Sequence, residues 1–156
     1  MIMTKLKFSD NSKQAKLKNI PVELAPNRSI WSFNLPSGYS CPGAMDCLSK
    51  ADRITGKITD AKHTLFRCFS ASDEARSPQA RSQRWHNFDL LRKLKNVNDM
   101  ARLINQSLPS VNIDVLRIHV SGDFYSLSYF VAWIQVAKNN RNIRFYAYSK
   151  SINFWV

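Results

Sequence analysis

The chain has 156 residues, with 23 Lys and Arg against 11 Asp and Glu, a formal net charge of +12 and a pI near 10. Its 44% hydrophobic and 12% aromatic residues exclude a disordered basic tail, and its length suits one domain with a buried core. No apolar run approaches the roughly 20 residues that span a bilayer, and the first residues lack the apolar run of a secretory signal. We therefore expect a cytoplasmic protein that does not enter a membrane.

The N-terminal part is predicted to be a basic arm followed by a strand. Residues 1–28 form the arm, in which Leu6 and Phe8 are the side chains suited to joining the edge of a sheet. Residues 29–35 (SIWSFNL) alternate in part and are aromatic, which predicts a strand. The Pro-Ser-Gly sequence at 36–38 predicts a turn that leads directly to the first cysteine.

The middle of the chain predicts a hairpin and a long helix. Residues 53–59 (RITGKIT) place two β-branched pairs around a Gly-Lys turn, and residues 70–84 are polar and rich in Ser, Arg and Ala. Apolar residues then recur at spacings of three and four, which predicts one amphipathic helix that ends before Pro109. Its stripe consists of Leu90, Leu94, Val97, Ala101, Ile104 and Leu108.

The C-terminal part predicts a strand, a helix and a second strand. Residues 113–120 (IDVLRIHV) and 143–148 (IRFYAY) suit buried strands, and Ser126 suits the N-cap of the helix between them. The predicted apolar face of this helix is Leu127, Phe130, Val131, Ile134 and Ala137. Helices alternating with strands over short connections predict a single α/β domain over 29–156, with parallel βαβ units.

Ligands of parallel α/β folds bind at the carboxyl ends of the strands, where loops and helix N-termini meet. This rule indicates Ser121, Gly122 and Asp123 as candidate cofactor-binding residues. It also gives His119, Asp123 and Lys150 as candidate catalytic residues, with Ser149 beside the last. The alternative interpretation is that Ser-Gly-Asp is only a helix-capping turn.

Three cysteines form a second candidate site. Cys41 and Cys47 have five residues between them, and Cys68 follows after twenty more. Structural disulfides are rare in the cytoplasm, so the thiols are either core residues, reactive groups or metal ligands. Three thiolates suit a [4Fe–4S] cluster with one open iron, or zinc with a fourth ligand from His63 or Asp46. The spacing alone favours metal over inert thiols only slightly, because Cys-x5-Cys is not a standard zinc-knuckle spacing.

Basic residues next to a Trp form a third candidate site. Nucleic-acid phosphates favour clustered Lys and Arg, and an aromatic ring can stack on a base. The candidates are Arg81, Arg84, Trp85, His86, Arg92, Lys93 and Lys95. The first four are predicted to lie just before a helix, where its N-terminus favours anions. The alternative is that the last three are only the solvated face of that helix.

Several ordered strings resemble a known family. They are LPSGYSCPGAMDCLSKADRITGKITD, FRCFSAS, RSQRWHNFDLL, RIHVSGDFYSLSYFVAW and FYAYSKSINFWV. From about residue 29 to 156 the chain resembles the phage and prophage gene product eighty-eight family, whose blocks group Cys41, Cys47 and Cys68 as one set. Members of that family extend beyond this chain's last residue, which implies either a truncated or divergent short form or a homo-oligomer that covers the exposed sheet edge.

A more distant likeness is to radical S-adenosylmethionine enzymes. It implies a partial TIM-like barrel, with Ser121-Gly122-Asp123 in place of the Gly-Gly-Glu turn that holds the cofactor's amino group. The cysteine spacing differs from the CxxxCxxC of those enzymes. The barrel and an open sheet are therefore both kept as predictions, and S-adenosylmethionine is the cofactor that the likeness implies.

Three hypotheses follow for function. The first is a phage or mobile-element protein with a three-cysteine metal or iron–sulfur site at the strand ends of an α/β fold. The alternative is a non-catalytic, basic nucleic-acid-binding protein. A third and weaker hypothesis is a hydrolase that uses His86, His119 and Asp123. The sequence lacks a Walker loop, a dinucleotide glycine fingerprint, an HExxH motif and a nucleophile elbow.

Overall fold

The computed structural model describes residues 4–10 and 29–156. In chain order the strands are β1 (Phe8–Ser9), β2 (Ile30–Phe33), β3 (Ser49–Ala51), β4 (Ile58–Asp60), β5 (Val115–Ile118) and β6 (Arg144–Ala147). The helices are α1 (Phe69–Arg76), α2 (Pro78–Leu91), α3 (Val97–Ser107) and α4 (Leu127–Asn139), with a 3-10 turn at Ile152–Phe154. Among these described helices, none combines the length and the apolar character needed to cross a bilayer.

A four-stranded mixed sheet forms the centre, in the order β1-β2-β5-β6. Strands β2, β5 and β6 are parallel, with Ile30 opposite Val115 and Val115 opposite Arg144, while β1 runs antiparallel along the edge of β2. The predicted α/β class and parallel units are thus confirmed, and a TIM-like barrel stays a prediction. The predicted pairing of the arm is also confirmed through Phe8, and Leu6 is buried beside it. The rest of the arm, 11–28, lies outside the described residues.

Helices α3 and α4 pack together, and their apolar side chains bury one side of the sheet against Phe33 and Leu116. The predicted cap of α4 is confirmed, because Ser126 Oγ accepts from Tyr129 N. The predicted apolar face is wrong in part, since Leu127 is 55% exposed. The residues that α4 buries are Tyr129, Phe130, Ala132, Trp133 and Val136, whereas Val131 and Ile134 face outward. This helix is apolar nearly all round, so periodicity does not choose a face, and its large aromatic side chains bury the most surface.

The single helix predicted from Leu90 to Leu108 is wrong, because the structure divides it. Helix α2 ends at Leu91, and Asn96 begins α3 by accepting from Asp99 N. Helices α1 and α2 occupy the polar stretch 70–84, where no apolar stripe marks them. Ser77, which accepts from Ala80 N, followed by Pro78 at the first helical position, was the local signal that a helix begins there.

The predicted hairpin exists and its second strand is where it was predicted, but its first strand lies earlier in the chain. Strands β3 and β4 pair antiparallel, with Lys50 opposite Thr59, and residues 52–57 form the loop. Asp52 Oδ1 accepts from Ile54 N and Thr55 N, so its carboxylate organises the loop that sequence reasoning placed in a strand.

Candidate functional site

A cavity of about 300 Å³ lies at the carboxyl ends of β5 and β6, and we call it the cysteine cavity. All three cysteines line it together with the residues that follow the two strands. Its lining is Ser37, Cys41, Ala44, Cys47, Cys68, Ser70, Val120, Gly122, Asp123, Tyr148, Ser149 and Lys150. Residues up to 113 positions apart in the sequence thus meet at the place where parallel α/β folds bind ligands.

Two glycines allow the cysteine loop to reach the strand ends. A Cβ on Gly43 would lie 2.3 Å from Lys150 O, so only a residue without a side chain lets the loop contact the backbone after β6. Gly122 has a φ of +82°, and a Cβ there would lie 2.6 Å from Ser40 Oγ. The close approach of this loop to both strand ends therefore depends on missing side chains at two positions.

Asp123 holds the two strand ends together. Its Oδ1 accepts from Phe124 N at 2.7 Å and from Ser149 Oγ at 2.6 Å, and its Oδ2 accepts from Lys150 N at 2.8 Å. Both carboxylate oxygens are thus bonded to groups after β5 and β6, while Ser126 caps α4. Asp123 lines the cavity as predicted. Its hydrogen bonds join the ends of β5 and β6, so the interpretation of Ser-Gly-Asp as only a helix-capping turn does not describe them.

The three thiols have different surroundings. Burial, with smaller contributions from Asp123 and Cys68, raises the pKa of Cys41 to about 12. Cys47 Sγ accepts a hydrogen bond from Lys150 Nζ at 2.8 Å. Cys68 is the residue that precedes α1, and its side chain makes no capping hydrogen bond. All three are free cysteines and half-buried, so the cavity contains thiols that a ligand can reach.

Lys150 brings a positive charge to these thiols. The hydrogen bond with Cys47 is the main reason that the pKa of Lys150 is raised. Electrostatic attraction from Cys68 and Asp46 raises it further by smaller amounts. Its Nζ also lies 5.5 Å from the centre of the Phe66 ring. The predicted candidate Lys150 therefore stands beside the cysteines, in contact with one of them.

A buried ion pair that sequence reasoning missed lies next to the cavity. Glu74 is fully buried, and its Oε1 accepts from Ser37 N at 2.9 Å, from Arg84 Nη1 at 3.0 Å and from Ser121 Oγ at 3.2 Å. Burial is the main cause that raises the pKa of Glu74, and Arg84 opposes it. Ser121 also donates to Leu35 O. The predicted cofactor-binding Ser121 is thus committed to this internal network, and nothing in the polar stretch 70–84 marked Glu74 as its centre.

The structure places His119 in the core, away from the cysteine cavity. The side chain is 2% exposed and its Nε2 lies 2.9 Å from Tyr129 Oη, between the rings of Phe33 and Phe124. Burial, together with Arg117, lowers its pKa to about 3. The expectation that His119 points toward the strand-end site is therefore corrected, because a left-handed backbone (φ 66°) and aromatic packing turn it inward.

The predicted position of the basic residues before a helix is also wrong. Arg81, Arg84, Trp85 and His86 lie inside α2, and the first three are at most 7% exposed. Arg81 donates to Arg53 O, Glu74 O and Ile54 O, and Arg84 donates to Ser70 O and to the carboxylates of Asp73 and Glu74. We call Glu74, Arg81 and Arg84 the buried arginine cluster. Its guanidinium groups tie the hairpin loop and α1 to α2 and are directed into the protein.

The remaining basic candidates have ordinary surroundings. His86 Nε2 lies 2.8 Å from Lys5 O and does not line the cysteine cavity, and Arg92 pairs with Asp89. Lys93 and Lys95 are exposed. Nucleic-acid binding by these residues stays a prediction.

Across residues 4–10 and 29–156, no three His, Cys, Asp or Glu side chains are already arranged around a point that would hold a metal ion. His63 and Asp46, the predicted fourth ligands, are exposed and do not line the cavity. The three thiols nevertheless share the lining of one cavity.

Comparisons with known proteins give one consistent family. A family model described as "Gene product 88" matches residues 4–156. The "Gene 88 protein" of Mycobacterium phage L5 is 27% identical over 161 residues, covering 95% of this chain and 59% of that protein. The protein of the same name from Mycobacterium phage D29 is 27% identical over 129 residues, covering 76% of this chain and 47% of that protein. The chain thus spans about half the length of these curated relatives. No solved structure matches it.

Proposed function

The chain belongs to the Gene product 88 family of phage proteins, and we propose that it binds a metal ion or an iron–sulfur cluster through Cys41, Cys47 and Cys68. The observation that carries this proposal is that thiols from two separate segments line one cavity. Two of them come from the loop after β2, and the third directly precedes α1. Inert cysteines are usually scattered as small apolar core residues, so their convergence at a ligand-binding edge favours a shared ligand.

The chemistry of the donors fits a thiophilic metal. Thiolates bind zinc and iron–sulfur clusters, and a metal ion deprotonates a coordinating thiol outright. Such an ion would therefore offset the burial that keeps Cys41 protonated. The Lys150 ammonium beside Cys47 would balance the negative charge of a three-thiolate site, and hydrogen bonds to ligating sulfurs are a common feature of such sites.

The composition of the cavity favours a site with an open position over a closed structural site. Three thiolates leave one ligand position of zinc, or one iron of a [4Fe–4S] cluster, without a protein sulfur. When bound, the metal would supply a Lewis acid or an electron carrier at that position. Gly122 and Asp123 line the same cavity, in which S-adenosylmethionine or another small molecule would lie.

Anaerobic purification of the full chain, followed by iron, sulfide and zinc analysis, tests the proposal. We expect about one metal ion or one cluster per chain, with visible absorbance in the case of iron and sulfide. Replacing each cysteine in turn by Ser should abolish or strongly reduce the metal content. Met45→Ala is the matched control, because Met45 lies in the same loop and is 73% exposed. A colourless, metal-free protein whose three thiols are all freely alkylated would refute the proposal.

A further inference from the structure

Helix α1 begins at the cysteine cavity, and its N-cap residue supplies no side-chain cap. Cys68, the preceding residue, makes no side-chain bond to the first turn, and both Cys68 and Ser70 line the cavity. Within the described part of the chain, the N–H groups of Ser70 and Ala71 donate no hydrogen bond. First-turn N–H groups without a partner carry the positive end of the helix dipole and favour an anion.

A second and independent observation is the hydroxyl of Ser37. This residue lines the same cavity and is 1% exposed, yet its Oγ has no hydrogen-bond partner among the described residues. Its backbone is held in place, because Ser37 N donates to Glu74 Oε1 at 2.9 Å. A buried hydroxyl without a partner is costly, so its place in a cavity wall indicates a ligand that accepts its hydrogen bond.

The charges around the cavity favour an anion. Lys150 Nζ uses one donor on Cys47 and has two more to offer. Two nearby carboxylates are already bonded, since Asp123 accepts from three donors and Glu74 pairs with Arg84. The exposed Asp46 adds a negative charge near Lys150 but does not line the cavity. The net charge of +12 adds a general attraction for anions.

We propose that the cysteine cavity binds a small oxyanion, the carboxylate or phosphate group of a ligand, between the α1 N-terminus, Ser37 Oγ and Lys150 Nζ. This site requires no metal. If the chain also binds a metal as proposed above, a small molecule with a carboxylate or phosphate group would lie in the same cavity as that metal. Only this last arrangement rests on the proposed function.

Calorimetric titration of the full chain with inorganic phosphate, and separately with acetate, tests this inference in a buffer free of other oxyanions. We expect saturable binding at one site, and the tighter of the two probes identifies the group. Ser37→Ala should weaken binding at least about tenfold, because it removes a hydrogen bond to a charged group. Lys150→Gln should weaken it comparably. Ser110→Ala, an exposed serine away from the cavity, is the matched control and should leave the affinity unchanged.

Cys47→Ser separates the two proposals, because it removes one metal ligand and none of the three oxyanion donors. Loss of metal with retained oxyanion binding is the expected result, and oxyanion binding by a protein that never holds metal would also support the inference. Absence of saturable binding to the wild-type chain would overturn it, as would equal affinities for Ser37→Ala and Ser110→Ala. Circular dichroism of each variant verifies folding. Should Lys150→Gln not fold, the comparison of the two serine variants decides.

Discussion

The cysteine cavity and the buried arginine cluster contain the two sets of residues that the sequence marks most strongly, yet their surroundings are opposite. Arg81 and Arg84 direct their guanidinium donors to internal carbonyl and carboxylate oxygens. In the cavity the thiols form no disulfide with one another, and Ser37 Oγ has no partner within the described residues. Polar groups that are bonded internally stabilise the fold, whereas polar groups that converge without partners are available to a ligand.

The strongest test of this contrast is at Arg84. Arg84→Met leaves the fully buried Glu74 without its cation, and breaking a buried ion pair costs about 3–5 kcal/mol of unfolding free energy. Urea unfolding measures this loss. Arg92→Met is the control, because the exposed pair of Arg92 with Asp89 is worth at most about 1 kcal/mol.

Adding Glu74→Gln to Arg84→Met should recover part of the loss, since the amide carries no charge and still accepts from Ser37 N. If Arg84→Met and Arg92→Met cost the same, the arginine cluster is not a buried structural unit.

A smaller effect is expected at the glycine that joins the cysteine loop to β6. In Gly43→Ala the new methyl would lie 2.3 Å from Lys150 O, and overpacking of this kind costs about 1–3 kcal/mol. Since the loop must move away from Lys150, we also expect a lower metal content than in the wild-type chain. Thermal unfolding and metal analysis on the same sample measure both changes. Met45→Ala in the same loop should change neither. If Gly43→Ala keeps the wild-type metal content, metal binding does not depend on the position of this loop.

A further test is the pH dependence of stability that His119 contributes. Its pKa is lowered to about 3 in the folded chain and returns to about 6.5 on unfolding, so the unfolded chain binds the proton first as pH falls. Stability from this group is complete above a pH of about 6.5 and decreases by about 1.4 kcal/mol per unit between about 6.5 and about 3.

Urea unfolding across this pH range tests the dependence on His119. In His119→Asn the slope should flatten, and Asn tolerates the positive φ of this position. His63→Asn, at an exposed histidine, should keep the wild-type slope. Equal slopes for the two variants would mean that His119 is not the buried neutral group.

Local sequence patterns were sufficient to predict the α/β class, the strands around Ile30, Val115 and Arg144, and the Ser126 cap, because these depend on alternation and capping. The same patterns singled out the three cysteines, Gly122, Asp123 and Lys150, since thiols and strand ends can be recognised by residue type and order. The helix boundaries in 70–108 were misplaced, because polar residues that turn inward conceal the apolar stripe.

Which of those residues meet depends on packing across the whole chain. Arg84 and His119 were predicted as functional side chains, but burial against Glu74 and Tyr129 gives them internal partners. Glu74 itself gained its importance from contacts 37 and 47 residues away along the chain. Partners at such separations are chosen by packing and by the cost of burying a polar group without a hydrogen bond, and neither quantity is encoded in local sequence.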